Sequence, residues 1–432
     1  MNTVSTASGN SINLHDLYLH PLRHVPGPKW AAFSDLRYAV NLLRGRAVTD
    51  ILQLHQKYGP VVRVAPDEVS FTTADSLKSI YGFKPGQKDG YKKDMHCFPL
   101  PLNGTRGITP AYGPDHANLL VERLRNHVES GSDGLIDAVA WYNFITFDII
   151  SDLSFGDSFH CLENSDYHPL VQMIYATLKS ATLMDFVIAK VNSRLSMETS
   201  RADFLTPVSN TNDSKALTRK EIETKSLVFL IAGSETTATT LSAATYLSLT
   251  HPEVWGQLKR EVRGAFGNGD EIVIDAINSK LPYMLAMLNE TLRFYPPVPT
   301  GFGRVVPRGG DTISGYFIPE GTGFYAPQYA INHLSEYFTD HDAFRPERWL
   351  GDPKYETDNH TVFNLFSLGP RNCLGKNLAY LEMRMIMAKM IWNFDMELCE
   401  NSQEGWMQHQ KVYTLCDKPP LMIKFSLAQR QE

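Results

Sequence analysis

The strongest constraint on this chain is one long helical signal. Thr218-Arg-Lys-Glu221 has the spacing of a capping box, and SLVFLIAGSETTATTLSAATYLSL runs on from it until His251-Pro252. At 1.5 Å per residue the stretch reaches about 45 Å, enough to cross a whole domain, and it predicts a central beam. Within it, Ala232-Gly233-Ser234-Glu235-Thr236-Thr237 breaks the local rules. Glycine in a helix interior costs about 1 kcal/mol against alanine, and threonine diverts backbone hydrogen bonds. Two readings stand: a solvent-facing polar turn, or a local widening in which Glu235 and Thr236 relay protons beside a ligand.

The remaining signals are mostly helical. A helix-like stretch ends at Tyr58, and Val61 to Val64 and Val69 to Phe71 read as two short strands around a Pro-Asp turn. Apolar residues recur at helical spacing from Leu135 to Phe155 and stop at Gly156, a C-terminal cap. Pro282 to Phe294 predicts another helix, ended by YPPVP, and ISGYFIPEGTGF alternates strand residues with glycine turns. HPLRHVPGPKW, residues 20 to 30, reads as a stiff lead-in, and residues 196 to 216 as a surface loop. The fold class that results is mainly α with small β-sheets.

Composition excludes several functions. With 41 basic and 47 acidic residues the chain lacks the basic excess that nucleic-acid binding needs. Cys97, Cys161, Cys373, Cys399 and Cys416 are odd in number and have no zinc-type spacing, which argues against a disulfide scaffold or structural zinc. The first 19 residues are polar and no window offers about 18 consecutive apolar residues, so neither an anchor nor a signal peptide is expected. A reducing, cytosol-facing compartment follows, with Trp30, Leu42 and Leu43 available for peripheral contact with a membrane.

Three further stretches depart from the bland pattern. Glu290 and Arg293 form an i,i+3 pair on an otherwise apolar helix. Taken alone, the pair reads as a surface salt bridge; if buried, it wants a third partner, which Arg348 in FRPERWL can supply. FSLGPRNCLG, residues 366 to 375, sets Cys373 between Gly369-Pro370 and Gly375, ahead of a run with helical spacing. A thiol at a helix N-terminus has its pKa lowered by the dipole, and Gly375 leaves room for a flat, bulky ligand against the backbone. An inert core cysteine is the alternative, but it needs neither the two glycines nor Arg371.

Together these stretches resemble the haem-thiolate monooxygenases of the cytochrome P-450 superfamily, from about His20 to Ser426. The family's F-x-x-G-x-R-x-C-x-G loop reads here Phe366, Gly369, Arg371, Cys373 and Gly375, after an E-x-x-R helix and a P-E-R-W turn. HPLRHVPGPK and FRPERWL are similar to fungal members that oxidise secondary metabolites. The resemblance implies a single domain over residues 20–432, after a polar tail, with haem b as cofactor and Cys373 as axial ligand of its iron. It implies that Arg371 and Arg304 pair with haem propionates, that Phe366 packs near the sulfur, and that Glu235 and Thr236 are the distal acid–alcohol pair. Glu290, Arg293 and Arg348 map onto a buried structural triad, and Phe229 to Ala232 and Pro297 to Phe302 onto the substrate cavity.

It also implies hydroxylation or epoxidation of a small apolar molecule with O2. Electrons from NADPH would come through a separate cytochrome P-450 reductase, since no G-x-G-x-x-G fingerprint occurs in the chain. Arg371, Lys376 and Arg384 form a basic face for that partner, or a solvated helix face. Two departures stand out. His116, at the family's early propionate-binding position, is followed one turn on by Leu120 instead of a basic residue, and roughly 30 residues are absent there against the family's usual spacing. A second shortening falls near Met184 to Val187, where relatives carry the helices that roof the pocket. Two alternative readings are a non-enzymatic product of a shortened gene and a haem-thiolate isomerase or dehydratase.

Overall fold

The computed structural model describes residues 19–84, 90–94, 115–131, 133–167, 181–197, 204–205, 217–403, 405–413 and 415–429. The tail 1–18, Cys97 and most of the loop at 196–216 lie outside these residues. The described chain forms two compact units, one of Met1–Pro99, Pro299–Leu334 and His360–Asn372, the other of Leu100–Val298, Ser335–Asn359 and Cys373–Glu432.

The second unit is built on the central helix, Arg219–Thr250. Its capping box is complete: Glu221 N–H donates to Thr218 Oγ1 at 3.3 Å, and Thr218 N–H donates back to the Glu221 carboxylate at 2.8 Å. The helix packs most extensively on Ala138–Phe155 and also touches Ala181–Ser196, Pro282–Phe294 and Lys376–Asn393. It is the one helix among the described residues long and apolar enough to cross a membrane, and two thirds of its apolar window lies inside the protein. Its apolar character is therefore that of a core.

The central helix is α-helical throughout, without the local widening expected at Gly233. Nor does that stretch face solvent as a polar turn, because Ser234, Glu235 and Thr237 are buried. Gly233 has a packing reason instead. A Cβ placed there would lie 2.5 Å from Cδ1 of the buried Ile150 on the neighbouring helix, so any larger residue would require that side chain to move. The hydroxyls of Ser234 and Thr236 donate to the carbonyls of Leu230 and Ala232, each at 2.7 Å, and satisfy themselves within the helix.

Leu135 to Asp137, expected as the start of a helix, are a strand paired antiparallel with Met422–Lys424. Asp137 then turns the chain, its carboxylate accepting the Val139 N–H at 3.0 Å, and the helix runs to Gly156 at φ +67°. The strand Met422–Leu427 also pairs with Phe394–Leu398, giving a three-stranded sheet.

The first unit carries a five-stranded sheet in the order Val61–Ala65, Glu68–Phe71, Gly323–Tyr325, Arg304–Val305, Lys92–Lys93. Val61–Ala65 is buried at every position, and its Val62 and Val64 pack with Ile51 and Leu54 of the helix Ala47–Tyr58. Of the stretch ISGYFIPEGTGF, Tyr316–Ile318 pairs antiparallel with Asp311–Ile313, and its last residues belong to the strand Gly323–Tyr325 of the five-stranded sheet.

Candidate active site

The turn before Cys373 is tight. Gly369 has φ +68°, and a Cβ there would fall 2.2 Å from the Tyr81 carbonyl, so the backbones of the two segments touch. Gly369–Arg371 form one 3-10 turn, within the first unit. Cys373 begins the second unit's share of the loop, ahead of the helix Lys376–Asn393 capped by Gly375.

Cys373 is an exposed free thiol. Its pKa is raised, contrary to the expectation from the helix dipole: desolvation by the surrounding protein dominates, and the Gly375 N–H and Lys376 pull the other way without winning. Although solvent reaches the sulfur, enough protein surrounds it to weaken the hydration of a thiolate. Gly375 has an ordinary φ of −84°, and a Cβ there would meet only the Cys373 sulfur, at 4.0 Å. The polypeptide itself does not demand glycine at this position. A bare backbone beside a thiol is what a flat, metal-bearing macrocycle can lie against.

In the first unit, Lys93 and Arg304 sit directly opposite each other in an antiparallel pair. Like charges facing across strands are unfavourable. Burial first, then Arg304 and Arg371, push the Lys93 pKa down to about 8. Arg304 is buried over the Tyr81 ring at 5.1 Å, and its pKa is lowered by burial and by Arg371. Three mutually repelling cations, Lys93 and Arg304 on adjacent strands and Arg371 in the turn before Cys373, are chemically matched to carboxylates. Sequence reasoning found Arg304 and Arg371 but missed Lys93, which becomes visible only through the register of two-residue strands.

Glu235 is buried and ion-paired to Lys418, whose ammonium also donates to Thr239 Oγ1 at 2.8 Å. Thr236 is partly exposed next to it. On the following residue, the Thr237 hydroxyl bonds Glu382 of the helix Lys376–Asn393, and burial pushes that carboxyl up to about 8, the threonine lowering it only in part. Neither Lys418 nor Glu382 was found in the sequence.

Glu290, Arg293 and Arg348 come together with almost no exposure. Arg293 grips Glu290 through two bonds of 2.8 and 2.9 Å, Arg348 approaches it at 3.3 Å, and the Trp349 indole N–H donates to it at 3.0 Å. The Arg345 backbone N–H adds a further donor at 2.9 Å. Arg348 also pairs with Asp358, and Phe338 lies between the two guanidinium groups at 5.3 and 5.6 Å. Here the surface-salt-bridge reading of Glu290–Arg293 fails, because the helix face that carries the pair is turned inward.

Two other expected residues are engaged differently. His116, in the first turn of Asp115–Glu129, lies 3.9 Å from Asp152 of the helix Ala138–Phe155. Arg384 donates to the Ile277 carbonyl at 2.9 Å and is half-buried, which removes it from any open basic face. Phe366 lies in the first unit, three residues before Gly369.

Comparison with known proteins agrees with this chemistry. The sequence profile of the family described as Cytochrome P450 matches residues 176–425. The chain is 40% identical to the cytochrome P450 monooxygenase lcsI of Purpureocillium lilacinum, over 96% of this chain and 92% of that one. It is 38% identical to traB of Penicillium crustosum, a cytochrome P450 monooxygenase, covering 93% and 91%, and 38% identical to averantin hydroxylase of Dothistroma septosporum, covering 94% and 87%. The chain belongs to the cytochrome P450 family. Its class is thus that of a haem-dependent monooxygenase, with mainly α structure, acting on a substrate with O2 and a redox partner. The alignment with lcsI runs over 476 positions, more than the 432 residues of this chain, so the relative carries at least 44 residues without a counterpart here.

Proposed function

We propose that residues 20–432 act as one domain that oxidises a small apolar secondary metabolite by hydroxylation or epoxidation, with Cys373 as the ligand of haem iron. The observation that carries the assignment is the exposed thiol at a helix start, beside a glycine that the fold itself does not require. Haem, when bound, supplies the iron at which dioxygen is reduced with two electrons from NADPH, delivered by a separate reductase. The chain's own residues do the rest.

Cys373 would hold the iron as a thiolate, which the Gly375 N–H and Lys376 favour. Arg304, Arg371 and Lys93 would hold the haem carboxylates, which match the charge of the three cations. Glu235 takes a proton from solvent and passes it to the Thr236 hydroxyl, which moves it on toward the reacting atoms. Glu290, Arg293 and Arg348 keep the turn at Pro346–Trp349 fixed on its helix. His116 is a further contact for the cofactor, and Phe366 limits water near the sulfur. The substrate lies against Phe229 to Ala232 and Pro297 to Phe302. The protein faces the cytosol, with peripheral contact at the endoplasmic reticulum through the helix Leu36–Leu43, whose Leu36 and Leu43 are exposed.

The test is the absorption spectrum of the reduced, carbon-monoxide-bound protein supplied with haem. The expected result is the strongly red-shifted Soret band of a thiolate complex, lost in Cys373→Ser. A band at the shorter wavelength of a thiol or imidazole complex overturns the assignment. The second reading, a product impaired by its missing residues, is favoured by the length difference from lcsI. Failure to take up haem, together with a transcript that reads continuously across residues 110–125 and 180–195, would establish it.

A further inference from the structure

No motif announces Lys418. It follows the two-stranded hairpin Lys411–Val412 and Cys416–Asp417, and its side chain is 3% exposed. An ammonium has three N–H donors. All three are engaged: by Glu235 Oε1, by Thr239 Oγ1 at 2.8 Å, and by the Cys416 carbonyl at 3.4 Å. Thr239 lies one helical turn beyond Glu235, so the ammonium bridges a turn of the central helix and ties it to the hairpin. Burying a lysine is costly unless charge and donors are both matched, and Glu235 supplies the charge.

We propose that Lys418 is a positioning residue for the proton relay: its buried ammonium holds Glu235 as a carboxylate and fixes it against the central helix. The inference rests on the reading of Glu235 and Thr236 given above. In the relay a solvent proton binds the Glu235 carboxylate beside Lys418. It then passes to Thr236 Oγ1 as that hydroxyl gives up its own proton toward the reacting atoms, which leaves Glu235 as the anion paired with Lys418. Among the described residues, titratable groups facing Glu235 include Cys416 on the hairpin, Tyr295 after the helix Pro282–Phe294, and Tyr167. The thiol and both phenols are raised, first by burial, so around neutral pH none of these three adds a charge to that of Lys418.

The experiment compares Lys418→Met, Lys418→Arg, Glu235→Gln and the double variant K418M/E235Q, all as haem-loaded protein. The first readout is the infrared difference spectrum of the resting protein at neutral pH. Loss of the cation leaves Glu235 buried without its charge partner, a setting that favours the protonated acid. K418M is therefore expected to gain a protonated-carboxyl band that is missing from wild type, from K418R and from the double variant. If K418M shows no such band, Lys418 does not hold the acid and the inference fails.

The second readout is product formed per NADPH consumed, against pH. The profile of K418M should move to higher pH while K418R keeps the wild-type profile; an unmoved profile also overturns the inference. Glu235→Gln separates the two claims. If it leaves coupling and its pH dependence unchanged, the acid–alcohol reading falls, while the infrared result still decides what Lys418 does. Lys418→Gln keeps a hydrogen-bond donor and loses only the charge, and it carries the same expectations should K418M not fold.

Discussion

Glu290 and Glu382 are both buried glutamates on helices of the same unit, at 0% and 3% exposure, yet their surroundings differ completely. Glu290 receives donors from Arg293, Arg348, the Trp349 indole and the Arg345 backbone. Glu382 receives the Thr237 hydroxyl, and desolvation pushes its carboxyl up to about 8, so it is neutral at pH 7. Burial alone therefore does not decide the charge of a carboxyl; the number and charge of the donors around it do. Glu290 is part of an ion-pair network that fixes two segments, whereas Glu382 is an uncharged link between the central helix and the helix that starts after Cys373.

The largest effect expected from breaking this contrast is at Arg348. Arg348→Ala leaves the buried Asp358 without its charge partner, takes one of several donors from Glu290 and empties part of the site, and should cost about 3–5 kcal/mol in denaturant unfolding. A loss below about 1 kcal/mol would place the cluster with ordinary surface pairs.

A smaller, pH-dependent effect is expected at Glu382. Its pKa is raised from 4.5 to about 8, so across that window the folded state keeps a proton that the unfolded state releases. The stability this group contributes is complete below the lower limit and is lost as pH rises through the upper one. Glu382→Gln should remove that slope, read as unfolding midpoints compared near the two ends of the window. A slope unchanged from wild type would mean that Glu382 is ionised in the folded protein. The smallest effect is at Thr237→Val, which removes one neutral hydrogen bond and should cost about 1 kcal/mol while raising the Glu382 pKa further.

What could be read from the sequence was local. The capping box at Thr218, the stop at His251 and the Gly156 cap depend on residues within a turn of each other, and the structure has all three. The residues of the Cys373 loop are local in the same way, lying within ten positions of one another. What was not legible depends on partners far along the chain. Leu135 to Asp137 carry helix-like spacing but pair with residues near 423. Lys93 becomes meaningful only opposite Arg304, and Lys418 only against Glu235. The thiol of Cys373 was misjudged because a dipole argument considers one helix, whereas desolvation sums over everything packed around the sulfur.

The contact of Gly233 with Ile150 also has a mechanical side. With no side chain at one position and a branched one filling the gap opposite, the two helices are keyed like a shaft and its collar. Sliding or rotating the central helix by one residue would drive a Cβ into Ile150. The stretch that bears Glu235 and Thr236 is thus registered against the helix Ala138–Phe155 at this contact. Gly233→Ala should disturb that contact without touching either functional side chain.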